Sequence, residues 1–148
     1  MAFHFSLEAL LRFRRSLERQ QELLLQEANY QVSLIRRQIA DIDLLLASRA
    51  AQTRQELRQG VAAAELHFGE DCESMLRHHR KHLERQALQK EELRRERMEA
   101  LKAARRGREV VETLRQQQFQ VHRQDETRQE QRRLDDQFLL RRNFLPRS

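Results

Sequence analysis

The sequence predicts an all-α fold in which two long helices form an antiparallel coiled-coil hairpin. The composition is typical of long helices, because 35% of the 148 residues are charged and only three are glycine, one is proline and none is tryptophan. Gly60 lies between two strongly helical stretches, and glycine often ends a helix because it takes positive φ without a Cβ clash. Apolar residues on both sides of Gly60 recur at heptad-like spacing, as a coiled coil requires.

The first helix is expected over residues 7–58, a range that contains no glycine or proline. Ser6 is a suitable N-cap, and Phe5 and Leu10 have the spacing of a hydrophobic staple. The apolar residues form two heptad-like series joined by steps of four, which predicts a stutter that locally relaxes the supercoil. The joining residues are Leu24, Ala28 and Val32.

A turn is expected at residues 59–63, followed by a second helix over residues 64–142 and a tail over residues 143–148. Asn143 and Pro146 are the predicted stop signals. The seam of this second helix carries Lys90 and Arg97 between its apolar ends, which predicts loose packing in the middle. The whole chain is interpreted as one domain.

The antiparallel register follows from the turn. Facing residues should have numbers that sum to roughly 122 to 125, about twice the position of the turn. Residue 6 then faces about residue 118, so residues 119–142 are expected to overhang as a single helix, and Gly107 is expected to face Leu17. The predicted facing pairs are Leu10 with Leu114, Phe13 with Val111, Leu24 with Leu101, Ile39 with Leu83, and Leu46 with Leu76.

Charge and cysteine content narrow the function classes. The net charge is +6, but residues 1–60 carry 9 basic against 7 acidic residues and residues 61–148 carry 20 against 16, so each basic cluster has acids nearby. This pattern is typical of solvated helix faces rather than of a nucleic-acid groove. The single Cys72 cannot form an internal disulfide, and no run of residues has the apolar character of a signal peptide or membrane span, so a cytoplasmic protein is expected.

Metal and catalytic chemistry find little support. His78 and His82 have the i, i+4 spacing that can hold a metal, but Arg80 and Lys81 add positive charge and a second ligand pair is missing. An exposed histidine face is the favoured interpretation. No phosphate-binding loop or paired nucleophile is recognisable, so neither an enzyme nor a cofactor is expected.

Two leucine triplets exceed what a two-helix seam needs. They are residues 23–25 and residues 44–46. Each triplet either broadens the seam or provides a docking surface for another protein. Residues 44–46 are the better docking candidate, because they lie near the turn and Phe68 on the second helix could join them.

The order of these features resembles the flagellar FliJ family of the type III export apparatus. The opening carries Phe3-x-Phe5-x-Leu7-Glu8-x-Leu10-Leu11, a long Arg/Glu/Gln-rich helix follows, and the turn falls near residue 60. The late segment Arg132-Arg133-Leu134-Asp135-Asp136-Gln137-Phe138 looks like the family's characteristic ending. The resemblance covers nearly the whole chain.

The resemblance implies a non-enzymatic role in flagellum biogenesis and protein transport. Proteins of this family are similar to the coiled coil of the rotary ATPase γ subunit. They bind the hexameric export ATPase FliI and the export-gate protein FlhA, and they assist the cycling of export chaperones. The location implied is the cytoplasmic side of the cell membrane, with peripheral attachment through the export apparatus.

The resemblance also implies a docking surface for the export gate. By position in the family it falls on Leu44, Leu45, Arg49, Met75, Leu76 and His79, and Phe68 is assigned to the same surface because it could join the second leucine triplet. The mixed charge of the overhanging end predicts, apart from the resemblance, that this end enters the ATPase ring. The residues assigned to ring docking are Phe138 and seven arginines: Arg12, Arg14, Arg15, Arg123, Arg128, Arg132 and Arg133. A solvated tail is the alternative for this end.

Other functions are compatible with parts of the sequence. The equivalent stalk protein of a virulence type III secretion system would have the same shape. A basic coiled coil that binds nucleic acid is suggested by Arg105-Arg106-Gly107-Arg108, although acids are interspersed and aromatic residues are few. A purely structural coiled coil that forms homodimers is the third alternative.

Overall fold

The structure, a computed structural model, describes residues 2–144, and these residues form two helices. Helix α1 is Glu8–Gln59 and helix α2 is Ala63–Phe144. The two helices pack against each other and the described residues contain no strand, which confirms the predicted all-α hairpin. Asn143 is part of α2 and does not end it. The predicted stop at Pro146 and the end of the predicted tail lie outside the described residues.

The start of α1 differs by one residue from the expectation. The first helical hydrogen bond runs from the Leu11 amide to the Leu7 carbonyl at 2.9 Å, so Leu7 rather than Ser6 has the capping position. The Glu8 amide donates to the Phe5 carbonyl at 3.2 Å and closes a turn before the helix. This turn directs Phe5 into the core, where it packs with Leu11 instead of Leu10.

The turn between the helices is short because Gly60 has a φ of 79°. This left-handed conformation is the one that glycine takes without steric cost. Two residues later the Ala62 carbonyl accepts hydrogen bonds from the amides of Glu65 and Leu66, at 3.0 and 3.3 Å. Residues 60–62 are therefore sufficient to end one helix and start the next.

The chain divides into two compact units. The terminal unit combines residues 2–18 with residues 103–144, and the turn unit is residues 19–102. Each unit has its own apolar cluster. In the turn unit Ile35, Ile42 and Leu83 are buried together, with Ile39, Leu46, Leu76 and Ala87 packed against them.

The core of the terminal unit consists of Phe5, Leu11 and Val111, with Phe3 packed against it. The predicted pairs of Leu10 with Leu114 and of Phe13 with Val111 are wrong. Leu10, Phe13 and Leu114 are 38%, 59% and 40% exposed, whereas Leu11 is completely buried.

The seam of α1 repeats every seven residues without the predicted stutter. Its buried positions are Leu11, Glu18, Leu25 and Val32 in one series, and Ala28, Ile35 and Ile42 in the other. Of the predicted pair Leu24 and Leu101, Leu101 is buried, but on α1 the neighbouring Leu25 is the buried residue and Leu24 is half-buried. The apolar residues alone suggest a stutter because the charged Glu18 occupies one of the seam positions near the start of α1.

Gly107 leaves space in the seam for the side chain of Arg14. A Cβ added at Gly107 would come within 3.0 Å of Nη1 of Arg14, so Gly107 faces Arg14 rather than the predicted Leu17. The side chain of Arg14 is half-buried and uses the space that the glycine leaves. Arginine covers apolar surface with its methylene groups, so a polar residue can fill a seam position.

Candidate docking surfaces

In the terminal unit the residues before α1 pack onto α2 in the predicted register, because the numbers of the facing residues sum to 122 and 125. The ring of Phe3 meets that of Phe119 edge to face, with centroids 5.1 Å apart, and lies 5.5 Å from the ring of His122. Such edge-to-face contacts are the favourable geometry for aromatic pairs. Phe119 and His122 thus contact the residues before α1, and the segment without such a contact begins at Arg123 rather than at residue 119.

Residues 123–144 form an exposed helical segment with mixed charge. All of these residues are exposed except Glu126, which is half-buried. The segment has six arginines and five acidic residues, together with exposed apolar side chains. The exposed apolar residues are Leu134, Phe138, Leu139, Leu140 and Phe144. This segment, called the terminal surface below, includes Arg123, Arg128, Arg132 and Arg133 of the sequence-predicted set.

The predicted arginines on α1 have different surroundings. Arg12 is exposed, whereas Arg14 lies in the seam over Gly107 and its buried Nε has no hydrogen-bond partner. Arg15 donates through Nη2 to Oε1 of Glu112 at 3.1 Å. Of the three, Arg12 is the one that has a free surface position.

A network of charges surrounds Arg15 in the terminal unit. Glu18 lies between Arg108 and Arg105, whose Nε is 3.2 Å from Oε1 of Glu18, and Arg108 also bonds Glu112. The hydrogen bond from Arg15, with help from Arg108, lowers the pKa of Glu112 against a smaller opposing effect of burial. Arg105 and Arg108, which suggested nucleic-acid binding in the sequence, are therefore occupied by internal ion pairs.

The sequence-predicted gate residues lie in the turn unit, and five of the seven are exposed. Leu44, Leu45, Phe68 and Met75 are 70%, 53%, 68% and 72% exposed. Met75 and His79 line one shallow groove along α2, together with His78, His82 and Arg85. The exposed residues Leu44, Leu45, Phe68, Met75 and His79 are called the turn surface below.

The other two predicted gate residues are packed. Leu76 lies against the core of Ile42 and Leu83. Arg49 is half-buried, its Nη2 would be 3.1 Å from a Cβ at Gly69, and its buried Nε has no hydrogen-bond partner. Leu76 and Arg49 thus belong to the seam beneath the turn surface.

An ion pair joins the two helices beside the turn surface. Nε of Arg80 is 2.6 Å from Oδ1 of Asp43, Nη2 is 3.4 Å from Oδ2, and Arg80 also bonds Glu84. The Asp43 hydrogen bond raises the pKa of the Arg80 guanidinium. Two-point contact of this kind fixes the position of Asp43 and hence of the neighbouring Leu44.

A further exposed apolar stripe on α1 was missed in the sequence. Leu23, Tyr30 and Leu34 are 59%, 62% and 40% exposed, and each follows a seam position by two residues. They therefore lie on the face of α1 that points away from α2. The signal in the sequence is the spacing of seven and four residues between these side chains, and the first leucine triplet, residues 23–25, includes only Leu23.

Residues 2–144 contain neither a candidate metal site nor a candidate membrane span. No three side chains of His, Cys, Asp or Glu come together in this range in a way that could hold a metal ion. Neither helix in the same range has a stretch apolar enough to cross a membrane.

Comparison with known protein families identifies the family of this chain. The family model described as "Flagellar FliJ protein" matches residues 3–145. The chain belongs to the FliJ family. No curated protein and no solved structure matches the chain. As a FliJ protein it is a component of flagellar-type protein export, and the matched range contains both the terminal surface and the turn surface.

Proposed function

We propose that this FliJ protein is a non-enzymatic coupling component that connects the flagellar export ATPase to the export gate. The observation that carries the proposal is the exposed segment 123–144, a helix with side chains of both charges and with apolar side chains. Helices of this length seldom keep exposed leucine and phenylalanine unless another surface covers them. In a FliJ protein the fitting partner is the hexameric ATPase, FliI-like in kind.

The terminal surface suits a ring because of its width and its charge pattern. A single helix is about 10 to 12 Å across, narrow enough to enter the pore of a hexamer. Each exposed ion pair is typically worth about 0.2 to 1 kcal/mol, so alternating arginines and acids can make several weak contacts without favouring one of the equivalent subunits. Arg12 is exposed in the same unit, whereas Arg14 faces Gly107 and Arg15 is paired with Glu112.

The turn surface is the proposed docking site for the export gate, FlhA-like in kind. Burial of one exposed leucine is worth roughly 1.5 to 3 kcal/mol, so Leu44 and Leu45 alone could supply much of a moderate affinity. Met75 adds a flexible side chain that adapts to different partners. Leu76, which packs in the core cluster of the turn unit, gives this surface a fixed base.

The same role places the protein at the cytoplasmic side of the cell membrane, held there through the export apparatus. Assistance to export chaperones belongs to the proposal as well. A chaperone that binds the turn surface would compete with the gate, which provides a simple way to hand over cargo.

Two variants test the proposal because each should remove one activity and keep the other. Truncation after His122 should abolish stimulation of the purified export ATPase while gate binding, measured by calorimetry, remains. Leu44→Ser with Leu45→Ser should weaken gate binding at least about tenfold while ATPase stimulation remains, since two apolar contacts are lost.

Controls make the comparison specific. Leu88→Ser with Val110→Ser removes two side chains that are 73% and 62% exposed elsewhere, and it should retain both activities. Circular dichroism should show that every variant keeps its helices. Full ATPase stimulation by the truncated chain would contradict the assignment of the terminal surface, and full gate binding by the double serine variant would contradict that of the turn surface.

A further inference from the structure

The stripe of Leu23, Tyr30 and Leu34, called the outer stripe, has no role in the proposed coupling. It lies in the turn unit on the solvent side of α1, and its side chains are 40% to 62% exposed. The spacings of seven and four residues keep the three side chains on one face over more than three helical turns. A face of this kind is the usual contact surface of another helix.

Two charged residues flank the Tyr30 and Leu34 part of the outer stripe in a self-complementary order, and Leu23 lies outside this repeat. Along the chain the order is Glu27, Tyr30, Leu34 and Arg37, and both charged residues are exposed. When the sequence is reversed about residue 32, Glu27 comes opposite Arg37 and Tyr30 comes opposite Leu34. The Glu27 carboxylate accepts a hydrogen bond from Gln31 at 3.1 Å, which holds it along the helix surface.

We propose that the outer stripe binds a second copy of this chain with the two α1 helices antiparallel. Two-fold symmetry makes every contact occur twice, so the interface contains two Tyr–Leu contacts and two Glu–Arg ion pairs. The ion pairs at the edges set the register, as flanking charges do in coiled coils. The apolar contacts between them provide the attraction.

Two other ways of pairing the outer stripes of two copies are less favourable. A parallel pair in register would bring Glu27 near Glu27 and Arg37 near Arg37 of the second copy. An antiparallel pair shifted by one turn would place Glu27 opposite Asp41, and two acids repel each other. The repulsion between like charges therefore disfavours both of these arrangements.

The dimer should be weak. A few side chains from one helix bury less than about 1,200 Å² in total, which is the range of transient complexes. Monomer and dimer should then exchange rapidly, and the average mass should rise between micromolar and millimolar concentration. The wild-type chain should be measured under reducing conditions, which keeps Cys72 from forming crosslinks.

Sedimentation equilibrium of charge-reversal variants tests the arrangement. Glu27→Arg and Arg37→Glu should each reduce self-association roughly tenfold, because each turns two attractive pairs into repulsive ones. The double variant should regain the wild-type association. A mixture of the two single variants should associate as strongly as wild type, because each then supplies the charge that the other lacks.

Glu96→Arg is the matched control, since it makes the same charge change at an exposed position of α2 and should associate like wild type. A wild-type chain that stays monomeric at millimolar concentration would overturn the proposal and leave the outer stripe to a different protein. Unchanged self-association of Glu27→Arg, or no association in the mixture of single variants, would also overturn it.

Discussion

Glu18 is the residue that sets the pattern of the terminal unit. It is only 9% exposed, yet its two carboxylate oxygens bond Arg105 and Arg108, so the seam contains a charge that is fully paired. A buried pair of this kind adds little net stability, but an unpaired charge in its place is costly. Shifted registers are therefore disfavoured, because they would separate Glu18 from its arginines.

Leu11 and Leu10 give a direct test of the observed seam. Leu11→Ala should lower the free energy of unfolding by about 2 to 5 kcal/mol, because its side chain is completely buried and its removal leaves a cavity. Leu10→Ala should lower it by less than about 1 kcal/mol, since that side chain is already partly in solvent. Urea denaturation of the two variants measures both values, and equal losses would contradict the seam described for the terminal unit.

At the level of the helices, the sequence was sufficient for the main architecture. The absence of helix breakers over residues 7–58 and the isolated Gly60 predicted a hairpin. Of the three pairs predicted in the turn unit, the members of two, Ile39 with Leu83 and Leu46 with Leu76, belong to its apolar cluster. Near the start of α1 the predicted seam is displaced by one residue, because Leu11 and not Leu10 is the buried side chain. Apolar periodicity cannot reveal a seam whose positions are occupied by Arg14 and Glu18, because their burial depends on partners that lie far away in sequence.

The docking surfaces were predictable to a lesser degree. Exposed leucines near the turn could be recognised as surplus in the sequence, but whether Leu44, Leu45 or Leu46 is the packed member depends on the phase of the seam. The structure makes Leu46 the packed one. Tyr30 and Leu34 were missed because their spacing only becomes meaningful once the inward face of α1 is known.

Two glycines should respond to the same substitution in opposite directions. Gly60→Ala should destabilise the protein by about 1 to 2 kcal/mol, because alanine is strained at a φ of 79°. Gly69→Ala should stabilise it by up to about 1 kcal/mol through helix propensity, because its new Cβ meets only the mobile end of Arg49, at 3.1 Å. Thermal unfolding followed by circular dichroism compares them, and a stabilising Gly60→Ala would rule out the turn geometry.

For the whole molecule, ion pairs within α2 and between the two helices make stability depend on pH. Hydrogen bonds from Arg15 and Arg94 lower the pKa values of Glu112 and Glu91, respectively, below the ordinary value of 4.5. A lowered folded-state pKa means that the contribution to stability is complete above the unfolded pKa. It is lost as the pH falls through the folded pKa, when the carboxylates take up protons.

We therefore expect the free energy of unfolding contributed by these pairs to be constant from neutral pH to about pH 5 and to decrease below pH 4.5. Glu112→Gln should make the acid-induced decrease shallower, because one of the shifted carboxylates is absent. Glu130→Gln, in the exposed segment, should keep the wild-type slope. Urea denaturation at several pH values measures these slopes, and identical slopes for Glu112→Gln and wild type would contradict the role of Glu112.

The heptad seam also has a consequence for evolution. Only about two positions in every seven contribute to packing between the helices, so the remaining positions are constrained mainly by the need to stay helical and soluble. Mutations at those positions can accumulate without loss of the hairpin. Homologues should therefore diverge rapidly in sequence identity. The number of residues between successive core positions should be conserved more strongly than the amino acids at those positions.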